Sequence, residues 1–289
     1  MIRLLIAGCL LLGGSSAWAQ GQDGTPAERN LQLIAELLPG IYDNANQNYF
    51  DTRLKLEEQL RHPRTKVVIS RVDKPELGAE VFRYVADEAG EQPTNGLLVL
   101  LLTEDPQLVG IQIIAEDQRL AGCDLRLRRD LGQFTGTSDC GLRMQLDPTG
   151  LWVGWADDKP LYALSRAREF SCYVDVPGVA GGRDEPFDRY QVESLHDQGD
   201  LAWVRTKDDR ELGITLRNVQ WPMNNETGAF TRNSLVMYVL ERSEEGIKTH
   251  TYGWTEPRAK RIGLNLQWML VNCYQTSNRD VRPFFDGSR

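Results

Sequence analysis

Histidine is scarce in this chain. There are three, His62, His196 and His250, and none has another at i+2 or i+4, so no HExxH helix is present. No CxxC occurs, and the cysteines lie too far apart for a zinc ribbon. A metal centre therefore has no support in the sequence. A phosphate loop and a dinucleotide fingerprint are also missing. The one serine string that resembles a nucleophile elbow, "GGSSA", falls within the first twenty residues and lacks a strand–turn–helix setting. After the N-terminus nothing approaches the roughly 20 consecutive apolar residues of a membrane-spanning helix. Basic surplus is lacking as well: 33 Lys and Arg stand against 41 Asp and Glu. A net acidic chain is a poor partner for nucleic acid or for an anionic membrane surface.

What is present begins at residue 1. "MIRLLIAGCLLLGGSSAWAQ" has a basic start at Arg3, an apolar run and the small-x-small ending Ala17-Trp18-Ala19. That pattern predicts a secretory signal peptide over 1–19, cut near Ala19. A lipoprotein signal with Cys9 as the lipidated residue competes with it, but only about five apolar residues precede that cysteine. The expected mature chain is exported and periplasmic, without a transmembrane anchor. Its roughly 270 residues allow two modest domains or one large one. Once Arg3 leaves, 32 basic residues face 41 acidic ones, a net charge of −9.

Loss of Cys9 leaves Cys123, Cys140, Cys172 and Cys273. An even number in an oxidising compartment predicts disulfides. Local geometry selects a pairing. "CDLRLRR" and "FTGTSDC" alternate like strands and flank the turn "DLGQ". If Arg129 faces Phe134, the antiparallel register sets Cys123 opposite Cys140, within reach of a bridge. Cys172 then pairs with Cys273 and closes a loop of roughly 100 residues, a cross-link worth up to about 4.7 kcal/mol in the chain-entropy picture.

One helix is convincing, in "TPAERNLQLIAELLPGIYDN". Thr25 is its N-cap, Pro26 takes the first turn, and Leu31, Ile34, Ala35 and Leu38 recur at helical spacing before Pro39-Gly40. "NYFDTRLKLEEQLRH" reads equally as helix or extended loop. From residue 65 onward, short segments rich in β-branched and aromatic residues follow one another at the spacing of a barrel or sandwich. "AEVFRYVADEAGEQPTNGLLVLLL" reads as a hairpin whose second strand is apolar almost throughout, as in a strand covered on both faces or lying at an interface. The stretch 175–188, rich in glycine, proline and acids, reads as a linker, with a boundary near 176.

Other chemistry is thin. Asp157-Asp158, Asp208-Asp209 and Glu244-Glu245 sit among turn residues and read as solvated turns. Trp152, Trp155, Trp203, Trp221, Trp254 and Trp268 are core packing on the plainer reading and a ligand wall on the sharper one. Asn225 in "NNET" matches a glycosylation acceptor in form only.

"GCDLRLRRDLGQFTGTSDC" resembles the signature of the CpcT/CpeT chromophore lyases, which falls here on Gly122, Cys123, Asp124, Phe134, Gly136 and Cys140. "LLPGIYDNANQ" resembles the opening of that family at Gly40, Asn44 and Gln47, and His62 and Tyr84 stand where it keeps a His and a Tyr. The likeness spans residues 30–165; about 115 C-terminal residues have no counterpart. Where the family carries an acid and then arginines, this chain reads "VADEAGEQPTNGLLVLLL", with Glu88 or Asp87 in the acid's place and no arginine. The resemblance implies a lipocalin-like (calycin) antiparallel barrel, often dimeric, that holds a linear tetrapyrrole (bilin) and presents it to a protein thiol. It implies Asn44, Gln47, His62, Tyr84, Asp124 and Phe134 as ligand-binding residues and assigns no catalytic residue.

The expectation is an all-β protein: a calycin-like barrel with an N-terminal helix over 20–175, and a second β-rich region over 176–289. Three functions follow from it. One is a chromophore lyase homologue that binds a bilin or a similar extended apolar ligand and assists its attachment to a thiol. Another is a non-catalytic periplasmic carrier on the same barrel. The last is an envelope scaffold that uses "LLVLLL" as an interface, as a homodimer.

Overall fold

The computed structural model describes residues 24–117, 119–156, 160–177, 187–220 and 232–276. The expected signal peptide, Asp157-Asp158, Trp221 and Asn225 lie outside them.

Helix α1, Pro26–Leu37, starts on the predicted cap. Thr25 accepts from the Glu28 N–H, and the Glu28 carboxylate takes the Thr25 N–H at 2.6 Å, a reciprocal capping box. Its buried face, Ile34, Ala35 and Leu38, joins the core of the barrel that follows. The carbonyls at its C-terminal end meet barrel side chains. Tyr42 Oη donates to Leu37 O at 2.7 Å, Arg71 to Ala35 O at 3.1 Å, and Arg166 to Leu37 O. These donors satisfy groups that a helix end leaves open. The Tyr42 hydroxyl is so enclosed that burial pushes its pKa up to about 12, against the opposing pull of Arg166.

Ten strands close the barrel in sequence order: β1 (Gly40–Asp43), β2 (Thr65–Val72), β3 (Val81–Glu88), β4 (Thr94–Leu102), β5 (Leu108–Ala115), β6 (Leu125–Asp130), β7 (Gln133–Ser138), β8 (Leu142–Asp147), β9 (Gly150–Trp155) and β10 (Tyr162–Arg166). Every neighbour is antiparallel, and β10 returns to β1 through Tyr42 opposite Arg166. Closure leaves no free edge. Alternation sends Leu125 and Leu127 inward while Arg126 and Arg128 face water. Tyr42, Phe82, Phe134, Ile111, Leu127, Leu146 and Leu164 fill the centre with exposures of 2% or less. The apolar strand β4 is covered on both faces only in its middle: Leu98, Val99 and Leu100 are buried, whereas Leu101 and Leu102 are exposed. Helix α2, Ala45–Arg53, and a single 3-10 turn, Glu58–Leu60, fill the ambiguous stretch between β1 and β2.

The β6–β7 hairpin has the predicted register, with Arg129 opposite Phe134. Its two-residue turn places Leu131 at φ 45° and Gly132 at φ 88°, the left-handed pair of a type I′ turn. Just past the paired residues, Cys123 and Cys140 are bonded, with Cα atoms 5.6 Å apart.

Two further four-stranded sheets share a second core. One has the order β12-β11-β18-β17, the other β13-β14-β15-β16. Their strands are β11 (Glu169–Pro177), β12 (Phe187–His196), β13 (Gln198–Arg205), β14 (Glu211–Val219), β15 (Ser234–Ser243), β16 (Gly246–Thr255), β17 (Arg261–Asn265) and β18 (Leu270–Gln275). Cys172 of β11 is bonded to its register partner Cys273 of β18. The expected boundary near 176 is corrected by this topology. β11 runs through that point as a central strand of the second unit, so the barrel ends at Arg166. Its partners β12 and β18 lie inside the later sheet, and the glycine-rich composition just downstream hides that membership.

Polar contacts join the two units. Arg64 pairs with the Asp43 carboxylate at 3.0 Å and donates to Gly199 O at 2.9 Å, while Asn46 donates to Asn218 O at 2.8 Å. Arg168 bonds the buried Asp197 through both its backbone N–H and its guanidinium. His196 lies between them, buried, its Nδ1 accepting from the Gln198 N–H at 3.3 Å.

Candidate functional site

Five of the six sequence-derived ligand residues gather at the barrel end where β1 hands over to α2. Asn44 donates through Nδ2 to Pro63 O at 2.9 Å, and its Oδ1 accepts from Thr65 N at 2.7 Å. Gln47 bridges Leu161 O and Ala163 N, both at 2.9 Å. His62 lies with Nδ1 2.7 Å from the Asp51 carboxylate and Nε2 2.5 Å from Pro160 O. Both ring nitrogens thus face acceptors, and the ring packs edge-on against Tyr162 with centroids 5.0 Å apart. These three side chains clamp α2, the 54–64 segment and the start of β10 into one rim, so their polar atoms already have internal partners. Asp124 is likewise committed: β6 pairs with β5 only as far as Ile111, and Asp124 Oδ1 accepts the Ile113 N–H beyond it at 3.1 Å.

Tyr84 differs from them. It points inward from β3, and its ring lies over Gly96, its register partner on β4. A Cβ at Gly96 would come within 2.7 Å of that ring and 2.6 Å of Ile114 O, which explains the glycine just before the apolar run of β4. The Tyr84 hydroxyl is buried and has no hydrogen-bond partner. Burial raises its pKa, and the charge of Asp117 adds to the effect, so the phenol stays a proton donor at neutral pH.

The same end of the barrel carries a further set of groups. Glu88, the last residue of β3, accepts from Tyr162 Oη at 3.2 Å and from Thr65 Oγ1 at 3.4 Å. Trp155 ends β9 with the Arg119 guanidinium 5.2 Å from its ring centroid. Ala86 and Ala115 are half-buried and small. The 116–124 loop bearing Arg119 is pinned by Cys123, whose N–H donates to Leu120 O and whose sulfur is bonded to Cys140. The mouth thus combines an unpaired phenol, a carboxylate, two aromatic rings and one cation over a packed floor.

Phe134 is not part of it. It is the second residue of β7, at the α1 end of the barrel, opposite Leu146 and 2% exposed, and serves as core. Sequence reading missed Tyr162, Arg119 and Gly96. The inward parity of Tyr162 in "LYALSR" was the one available signal. Among the described residues, no group of three or more His, Cys, Asp or Glu side chains forms a metal site. Asp208-Asp209 and Glu244-Glu245 occupy turns, as read.

A groove of about 840 Å³ lies elsewhere, along the outer face of α1 between Glu28, Arg29, Glu36 and Arg129. Glu28 is engaged in the capping box and Arg29 in a bond to Gly24 O. The mouth, with its unpaired buried donor, is the better candidate.

Compared with family models, with curated proteins and with solved structures, the chain matches none.

Proposed function

We propose that this protein is a non-catalytic ligand carrier, exported to the periplasm, that holds an extended apolar molecule bearing an acceptor group at the α2 end of its barrel. The unpartnered hydroxyl of Tyr84 carries this reading. A buried donor without a partner costs about 1–3 kcal/mol, and a ligand carbonyl or carboxylate would recover part of that cost. A linear tetrapyrrole, the ligand implied by the CpcT/CpeT resemblance, suits the other groups. Its conjugated plane matches Trp155 and Tyr162, its pyrrole N–H groups match Glu88, and its propionates match Arg119. The filled centre of the barrel limits such a ligand to the mouth. Ala86 and Ala115, both small and half-buried, lie at that end against the core.

A second reading keeps the lyase role. The same mouth would present a bilin to a thiol of another protein, with orientation as the main contribution to rate. The Glu88 carboxylate at the rim favours it.

Titrating the purified protein with a linear tetrapyrrole, followed by absorbance and tryptophan quenching, tests the proposal. Saturable binding is expected, weakened about tenfold in Tyr84→Phe, roughly 1.4 kcal/mol. The unliganded variant should be as stable as the parent or more so, since it loses an unsatisfied polar group. Absence of saturable binding to the parent protein would overturn both readings. Binding without faster transfer to an acceptor thiol would leave the carrier and remove the lyase.

A further inference from the structure

The strand β16 has two unlike halves. Among the described residues it pairs only with β15, so its other side is a sheet edge. Such edges are templates for a further strand, and proteins blunt them with lysine, charge or a bulge. The first half of β16 has these devices: Lys248, the adjacent turn at Glu244 and Glu245, and a bulge opposite Val239 and Leu240. The second half, Thr251-Tyr252-Gly253-Trp254-Thr255, has no charged residue, and Tyr252 and Trp254 are 55% and 65% exposed.

This half is also nearly self-complementary. Antiparallel pairing with a second copy about Gly253 sets Gly253 against itself, Tyr252 against Trp254, and Thr251 against Thr255. Aromatic and threonine cross-strand pairs each contribute roughly 0.2–1 kcal/mol. The faces agree. Tyr252 and Trp254 lie opposite Tyr238 and Val236 on the outward side of the sheet, where the Tyr252 ring is 5.6 Å from that of Tyr238. Gly253 itself faces Leu264, which a Cβ there would approach to 2.3 Å, so nothing protrudes at the centre of the pairing. Other registers are poorer. Centring on Tyr252 sets Trp254 against His250, and centring on Trp254 sets Tyr252 against Glu256, outside the strand.

We propose that residues 251–255 form a docking edge for a second copy of this chain. Two copies joined there would merge the β13–β16 sheets across a two-fold axis. The contact is only five residues long, so association is reversible and depends on concentration.

Sedimentation of the full mature chain over a range of concentrations tests this, with two variants. A monomer–dimer equilibrium is expected. Trp254→Lys should raise its dissociation constant about tenfold or more, with the thermal melt unchanged because the side chain is exposed. Thr251→Cys/Thr255→Cys should yield a disulfide-linked dimer on oxidation. A monomer at every concentration would overturn the proposal. So would a dimer that ignores Trp254→Lys and fails to cross-link.

Discussion

Tyr84 and His196 are both buried beside carboxylates, and burial acts on them in opposite directions. Desolvation keeps the phenol protonated and the imidazole neutral. For His196 burial is the largest influence and lowers the pKa. Asp200 and Asp43 raise it, while Lys66 and Arg64 lower it further. In the unfolded chain the same ring takes up a proton below about pH 6.5. The unfolded state therefore binds more protons just below that pH, so this residue makes stability fall as pH drops through 6.5 and leaves it unchanged above. Asn at this position can still accept from the Gln198 N–H but does not titrate. Unfolding free energy measured against pH should accordingly show a shallower slope below 6.5 in His196→Asn; an identical slope would remove His196 from the account. Glu241 falls in a separate window. Its hydrogen bond from Arg210 holds it at about 2, so its contribution is present above about pH 4.5 and is lost only in stronger acid. Sequence singled out Tyr84 but said nothing distinctive of His196, because its charged neighbours Asp43 and Arg64 stand more than 100 residues away along the chain.

Local elements were the most legible. Thr25 and Pro26 announce the start of α1, and the β6–β7 register follows from alternation on either side of a glycine turn. Both depend on neighbours close along the chain. β11 was less legible: the Cys172–Cys273 pairing was expected, but the glycine- and proline-rich stretch just after β11 set the boundary behind that strand and not ahead of it. The Cys123–Cys140 bridge, which closes 17 residues, is expected to act locally by holding the 116–124 loop against the mouth. Cys123→Ala/Cys140→Ala should cost about 3 kcal/mol and speed amide hydrogen exchange in that loop more than in β8. Uniformly faster exchange over the whole barrel would show a role in global stability instead.

For the molecule as a whole, strand spacing made the all-β class readable but left barrel and sandwich open, and the barrel came with the family resemblance; the composition of the site was only half readable. Asn44, Gln47 and His62 were singled out through the family resemblance alone, and they lie together at the α2 end of the barrel. Their partners Leu161, Ala163 and Pro160, which turn them into a structural clamp, become neighbours only when β10 closes on β1. At this end of the barrel the buried Tyr84 hydroxyl has no hydrogen-bond partner, and the central claim rests on it. A native mass spectrum of the mature protein, recorded with absorbance after mixing with excess linear tetrapyrrole, tests that claim most directly. One bound tetrapyrrole per chain, retained by the parent and largely lost from Tyr84→Phe, is the expected result. A parent protein that stays colourless at the mass of the bare chain would contradict it.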